Sequence, residues 1–255
     1  MTSSSFDQKV ALVTGAGGGI GLATATELAN RGAAIAINYR RSRDAAEALA
    51  SSLRSNGARA QVFGADVTRA ADVNRLVADV EAAFGRIDIL VNNAGDLIGR
   101  YDLASMTEDV FRQVMNVNVL STLLCCQAVA PGMAARGSGV IVNMSSLAAH
   151  NGGGPGAFAY AAAKAAVIAM TKGLARELAP KGVRVNCVSP GLIGETAFHG
   201  RFTPKDAFNA AEKTVPLARA GRPEEVAKVI AFLASDDSSY LVGETIEING
   251  GLLMR

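Results

Sequence analysis

The sequence has no tryptophan, and aromatic residues make up only 5% of it. A core built from such a chain must close by the approach of small side chains, not by aromatic wedges, and 27 glycines together with many alanines supply them. Cysteine is scarce: Cys125, Cys126 and Cys187 form an odd set with two members adjacent. That excludes a disulfide framework and lacks the spacing of a metal site, and reduced thiols in a cytoplasmic setting are expected. Net charge is small at +2, which argues against nucleic acid or an anionic membrane as partner. Met1–Val10 has no apolar stretch of the secretory kind. No uninterrupted apolar run reaches about 18 residues, so no transmembrane span is expected. Charged residues are 19%, low enough to suggest surface buried in an oligomer.

What is present is alternation. Short, continuous apolar runs at Val10–Val13, Ala34–Asn38, Ala60–Phe63, Ile87–Val91, Val140–Met144, Val183–Val188 and Thr245–Ile248 read as strands. Helical patterns lie between them at 20–30, 44–55, 71–84, 108–130, 157–178 and 223–234, several closed by glycine. Strands without polar alternation are covered on both faces. Regular β-α order implies parallel pairing and right-handed crossovers. The expectation is one α/β domain over residues 1–255: a doubly wound, Rossmann-type, seven-stranded parallel sheet with helices on both faces. Residues 192–217 form its least regular segment, a candidate lid over a substrate.

The first strand runs into Thr14-Gly15-Ala16-Gly17-Gly18-Gly19-Ile20-Gly21. Glycines there let the chain turn sharply and bring backbone N–H groups at a helix N-terminus to a pyrophosphate. Ile20 stands where the general dinucleotide fingerprint would have its third glycine, so the pattern is T-G-x-x-x-G-x-G. The second strand ends Asn38-Tyr39-Arg40-Arg41, residues expected to meet the dinucleotide, with no carboxylate before Asp44. An acid is usual at this place when the ribose carries a free 2′-hydroxyl. Two guanidinium groups suit a 2′-phosphate instead, which points to NADP(H), with NAD as the alternative. Asp66-Val67 follows the third strand and could meet the adenine, while Asn93-Ala94-Gly95 follows the fourth.

Fourteen residues after Ser146 comes Tyr160, and Lys164 follows one helical turn later on the same face. A phenol ordinarily titrates near 10, and an adjacent ammonium is expected to lower that value toward the range useful for acid–base work.

The ordered set of T-G-x-x-x-G-x-G, N-N-A-G, Ser146, Tyr160-x-x-x-Lys164 and Pro190-Gly191 resembles the classical short-chain dehydrogenase/reductase family along essentially the whole chain. The resemblance implies hydride transfer between a nicotinamide dinucleotide and a small carbonyl or secondary alcohol, with 3-oxoacyl-thioester reductases and sugar or polyol dehydrogenases as the nearest types. A catalytically silent dinucleotide-binding protein is the third reading. By the same resemblance Tyr160 is the proton donor or acceptor, Lys164 tunes it and holds the nicotinamide ribose, and Ser146 donates to the substrate oxygen. Asn118 would hold a water joined to Lys164. Pro190, Gly191, Ile193 and Thr196 would border the nicotinamide, and a homotetramer or homodimer is expected. His150 reads as a rim residue of the pocket. His199, with Phe198 and Phe202, could line the lid.

Overall fold

The computed structural model describes residues 6–254, except for the side chain of His199. The first five residues of the N-terminal stretch read above for a leader therefore lie outside the described residues. In chain order the elements are β1 (Val10–Val13), α1 (Gly19–Asn30), β2 (Ala34–Tyr39), α2 (Arg43–Ser55), β3 (Ala60–Gly64) and α3 (Ala70–Phe84). Next come β4 (Ile89–Asn92), α4 (Glu108–Met115), α5 (Ser121–Ala135), β5 (Gly139–Met144), α6 (Ala148–Asn151) and α7 (Phe158–Leu178). The chain ends with β6 (Val183–Pro190), α8 (Ala197–Phe202), α9 (Lys205–Glu212), α10 (Pro223–Ala234) and β7 (Thr245–Ile248).

All seven strands pair in parallel in the order β3-β2-β1-β4-β5-β6-β7. The winding reverses between β1 and β4, and in such sheets the crevice at the carboxyl ends of those strands is where ligands bind. Alternation within β1 shows why the strands read as unbroken apolar runs. Ala11 and Val13 join the core beneath α1, α2 and α10, while Val10 and Leu12 join the core beneath α3, α5 and α7. Each face needs its own apolar residues, so no position is left for a polar side chain.

The structure moves several boundaries. The fourth strand begins at Ile89 and not Ile87, because Asp88 is spent on Val10: its backbone N–H donates to Val10 O and its carboxylate accepts from Val10 N. The sixth strand runs on to Pro190, since Ser189 and Pro190 pair with β7 after the pairing with β5 has ended at Val188. The segment 192–217 is not irregular throughout, for it contains α8 and α9.

The expected long helix continues from Glu108 to Ala135, passing through Pro131, and changes to a π-helical turn at Asn116–Leu120. It is the one helix among the described residues long and apolar enough to cross a membrane by length and composition, although a search for unbroken apolar runs passes over it. Half of its apolar window is buried in the protein, where α5 packs against β4, β5 and α3.

Candidate active site

At the carboxyl end of β1 the glycine turn is shaped by two asparagines reaching across from other strands. Asn93, after β4, donates through Nδ2 to Thr14 O at 2.9 Å and Gly15 O at 3.1 Å. Asn38, at the end of β2, accepts from Gly15 N at 3.3 Å and donates to Phe63 O and Ala65 O, both at 3.2 Å. Asn38 is buried and its side chain is consumed within the protein. It therefore shapes the cradle from below, where the sequence had suggested a direct contact with the dinucleotide. Gly21 has no room for a side chain: a Cβ there would sit 2.5 Å from Asn93 Nδ2 and 2.6 Å from Gly15 O. The first turn of α1 opens at Gly18 with no side-chain cap, so its N–H groups are directed outward beside Gly17, Gly19 and Ile20. Thr196, leading into α8, comes up against Gly19. Ile193 is buried and bridges to Gly221, and Gly191 N is bonded to Ile248 O, which fixes the Pro190-Gly191 corner.

Arg40 and Arg41 lie exposed past Tyr39. Arg40 is not solitary: it pairs with Asp66 at 3.6 Å. Burial works against ionisation of Asp66, but bonds from the Thr68 hydroxyl and N–H and the charge of Arg40 outweigh it and hold the carboxyl below its ordinary range. Val67 is buried beside it.

The chemical end gathers β5, α6 and α7. The two serines after β5 separate cleanly. Ser145 is buried and donates to Lys164 O at 2.8 Å, tying the end of the strand to the helix. Ser146 turns the other way, accepts from Ala148 N at 3.2 Å, and bonds the Tyr160 hydroxyl. Lys164 is 2% exposed, donates to Met144 O at 2.9 Å, and lies 5.6 Å from the centre of the Tyr160 ring. Burial lowers the lysine to about 8, with the neighbouring Cys187 acting weakly against this.

Tyr160 does not follow the sequence expectation. Burial raises it to about 12, the Ser146 hydrogen bond lowers it, and the charge of Asp96 raises it further. Lys164 has turned its ammonium to the Met144 carbonyl, and the desolvation of the phenol wins. Part of that desolvation comes from the ring of Phe198, 5.6 Å from that of Tyr160 and itself packed at 5.3 Å on Phe202.

Asn118 lies in the π-helical turn, where the extra residue rotates its side chain inward. Its Nδ2 donates to Asp96 O at 2.7 Å and Val114 O at 2.9 Å, while its buried Oδ1 has no partner among the described residues. A Cβ placed on Gly95 would lie 2.7 Å from that Oδ1 and 2.9 Å from Lys164 Nζ, so the two atoms converge on one spot.

A polar chain that the sequence did not disclose crosses the sheet behind the site. Asn92 donates to Asn143 Oδ1 at 2.9 Å, and Asn143 donates to Thr171 Oγ1 at 2.9 Å, anchoring α7 to β4 and β5. Asp96, Arg100 and Arg201 at the mouth were also missed. They lie in unpatterned segments, and only folding brings them together. His150 is half-buried and paired with Glu247 of β7 at 2.8 Å, so it anchors α6 and is not a free rim group. All three cysteines are buried, with Cys126 raised to about 12 and Cys187 to about 11 by burial.

The residues present fit a dinucleotide. An uncapped helix N-terminus, a glycine turn with no room for a Cβ at Gly21 and an unpartnered amide oxygen beside a buried ammonium all lie along the carboxyl edge of the sheet. Comparison with known proteins agrees. Residues 15–253 match the family model described as enoyl-(acyl carrier protein) reductase. The 3-oxoacyl-[acyl-carrier-protein] reductase FabG of Staphylococcus epidermidis is 38% identical, the match covering 96% of this chain and 99% of that one. Among solved structures, an NADH-dependent reductase responsible for alginate metabolism superposes with a TM-score of 0.90 at 31% identity, covering 99% of this chain and 100% of the other. An NAD+-bound xylitol dehydrogenase gives 0.89 at 36% identity, covering 96% and 99%. The chain is thus an NAD(P)-dependent oxidoreductase, a member of the short-chain dehydrogenase/reductase family.

Proposed function

We propose that this oxidoreductase reduces the ketone of a 3-oxoacyl thioester or a related small carbonyl compound with NADPH, using Tyr160 as the general acid. The observation that carries the reading is the convergence of Ser146, Tyr160 and Lys164 from β5 and α7 at the carboxyl edge of the sheet. A nicotinamide dinucleotide, when bound, supplies the hydride. The chain's own residues do the rest. The Ser146 hydroxyl is a donor placed to meet negative charge on a carbonyl oxygen. Tyr160, neutral at physiological pH, holds a proton ready for that same oxygen. Lys164 Nζ and the unpartnered Oδ1 of Asn118 lie near each other beside Gly95, and a water bridging them would return the proton from solvent. Gly15, Gly17, Gly19, Ile20 and Gly21 would receive the pyrophosphate, with Asp66 and Val67 at the adenine and Arg40 and Arg41 at a 2′-phosphate. Asn93, Ala94, Gly95, Pro190, Gly191, Ile193 and Thr196 would border the nicotinamide riboside. Residues 1–255 act as one domain in this reading, with 192–217 as its substrate lid. It works in the cytoplasm as a homotetramer or homodimer, without nucleic-acid or membrane partners. Exposed apolar residues such as Leu103 and Tyr240 suit an interface between subunits.

A second reading, oxidation of a sugar or polyol with NAD, is favoured by the likeness to the xylitol dehydrogenase. The Arg40–Asp66 pair also draws on charge that a 2′-phosphate would use. One experiment decides between them. The purified chain is assayed with NADPH and NADH against acetoacetyl thioesters, ketones, quinones and sugars, and in reverse against polyols. Tyr160→Phe should cut turnover about 100- to 10,000-fold while dinucleotide binding persists. Arg40→Ala and Arg41→Ala should raise the KM for NADPH far more than that for NADH. Full turnover in Tyr160→Phe defeats the mechanism, and equal effects on both dinucleotides defeat the choice of NADP.

A further inference from the structure

The helix that follows Ser146 is too small to hold itself in place. α6 has four residues, Ala148–Asn151, and none of them is buried. A single turn cannot stand on its own backbone bonds. Beyond it the chain passes Gly152, Gly153, Gly154 and Gly156, three of them at positive φ, so the segment leading on to α7 offers little stiffness. Contacts with the sheet fix α6 instead. His150 Nε2 lies 2.8 Å from Glu247 Oε1, and the two side chains are only 14% and 17% exposed. Glu247 stands on β7 between Ile246 and Ile248, which pack against the core beneath α1 and α10. Alternation along the strand turns Glu247 to the opposite face, where α6 lies. An acid so well covered needs a partner, and His150 supplies it. Two backbone bonds complete the frame. Leu147 N donates to Pro190 O and Gly191 N donates to Ile248 O, both at 2.9 Å. The contacts close a circuit from Leu147 through His150, Glu247, Ile248, Gly191 and Pro190 back to Leu147. Ser146 hangs from this circuit. Its Oγ accepts from Ala148 N, in the first turn of α6, at 3.2 Å, and its carbonyl accepts from Ala149 N at 2.9 Å. The Ala148 bond occupies a lone pair of the hydroxyl and leaves its proton for an acceptor in the site.

We infer that His150 and Glu247 are positioning residues, a brace between α6 and β7 that aims the Ser146 hydroxyl at the substrate oxygen. The inference rests on the reading of Ser146 as donor to that oxygen and adds the device that directs it. The brace acts through α6. The His150–Glu247 pair fixes the helix two residues beyond Ala148, and Ala148 N fixes Oγ. Without the pair, the Leu147 bond remains as a pivot, α6 turns about it, and the Ala148 N–H loses its aim at Oγ. Negative charge developing on an oxygen is met best by a dipole already in place, so a hydroxyl that wanders loses much of its effect. The same circuit carries the Pro190-Gly191 corner. The brace therefore keeps Ser146 and that corner at one fixed spacing.

The test joins steady-state turnover of an acetoacetyl thioester to hydrogen exchange at the α6 amides of the whole protein. His150→Ala and Glu247→Ala should each lower kcat about 10-fold while the KM for the thioester and the affinity for the dinucleotide stay close to those of the wild type. The double variant should fall no further than the worse single one, because either change breaks the same contact. His150→Gln, whose amide nitrogen can take the place of Nε2, should recover most of the turnover. In a Ser146→Ala background His150→Ala should cost nothing more, since the brace works through that hydroxyl. Exchange at the amides of 148–151 should quicken in both alanine variants and not in His150→Gln, with β5 and β6 still protected, which separates a loosened α6 from a failure to fold. The inference is overturned by a His150→Ala variant that turns over like the wild type, by a loss of the same size with and without Ser146, or by exchange at 148–151 that neither alanine variant changes. The exchange measurement needs no substrate, so it judges the brace even where the thioester is not reduced. An active Tyr160→Phe, or a wild type that reduces none of the carbonyl compounds, strikes the catalytic reading and leaves the exchange result standing.

Discussion

The dinucleotide edge and the substrate mouth lie on the same rim of one sheet and are held by different forces. At the dinucleotide edge the turn after β1 is fixed by the amides of Asn38 and Asn93 and by Gly21, at which a Cβ would meet a backbone oxygen. The turn cannot shift without breaking the part-buried bonds to Asn38 and Asn93. At the mouth, Asp96, Arg100 and Arg201 make half-exposed contacts to backbone carbonyls and to one another. Such contacts are individually weak and readily exchanged. The contrast teaches that one rim of the sheet can carry both a turn fixed by buried amides and a mouth held by contacts that exchange easily.

The comparison can be broken most severely at the cradle. Gly21→Val should weaken dinucleotide binding about 100-fold, because the displaced turn no longer presents its N–H groups in place. It should also destabilise the protein by about 1–3 kcal/mol through overpacking, measured by calorimetric titration and denaturant unfolding.

Lys164 lies between the two regions and sharpens the contrast through pH. Its value falls from 10.5 to about 8 on folding, so below about pH 8 the folded state bears the cost of a buried ammonium that the unfolded chain does not. That cost shrinks as pH rises from 8 and is gone above 10.5. Lys164→Met should therefore be inactive yet more stable than the wild type at pH 7, by on the order of 1–3 kcal/mol. The difference should fade between pH 8 and 10.5 in thermal melts. A variant less stable than the wild type at pH 7 would show that Lys164 is a structural support of the cradle.

The smallest effect is expected at the mouth. Phe198→Ala should raise the substrate KM a few-fold and leave dinucleotide affinity unchanged. Its unfolding free energy should stay within about 0.5 kcal/mol of the wild type, because little rests on a half-buried lid ring. A loss of dinucleotide affinity in this variant would erase the distinction between the two regions.

Legibility in the sequence followed the same division. The alternating elements, the parallel sheet and the glycine turn could be read because each depends on a local period or a local backbone need. The boundaries that moved did so for non-local reasons: Asp88 is spent on Val10 and leaves β4, and β6 is extended by its neighbour β7. The helices α8 and α9 escaped notice because short amphipathic turns in a polar segment carry little periodic signal. Asp96 gave no signal either, since its meaning comes from Arg201, more than a hundred residues away along the chain.

By itself the sequence determined the order of the elements, the sharp turn into α1, and the placing of Tyr160 and Lys164 on one helical face. These are consequences of steric rules acting over a few residues. Tertiary structure alone decided that Ser146 meets the phenol while Ser145 props the helix, that Asn38 supports the turn from beneath, and that the phenol is raised instead of lowered. Those outcomes depend on desolvation and on partners brought from distant strands, and neither can be read along a chain.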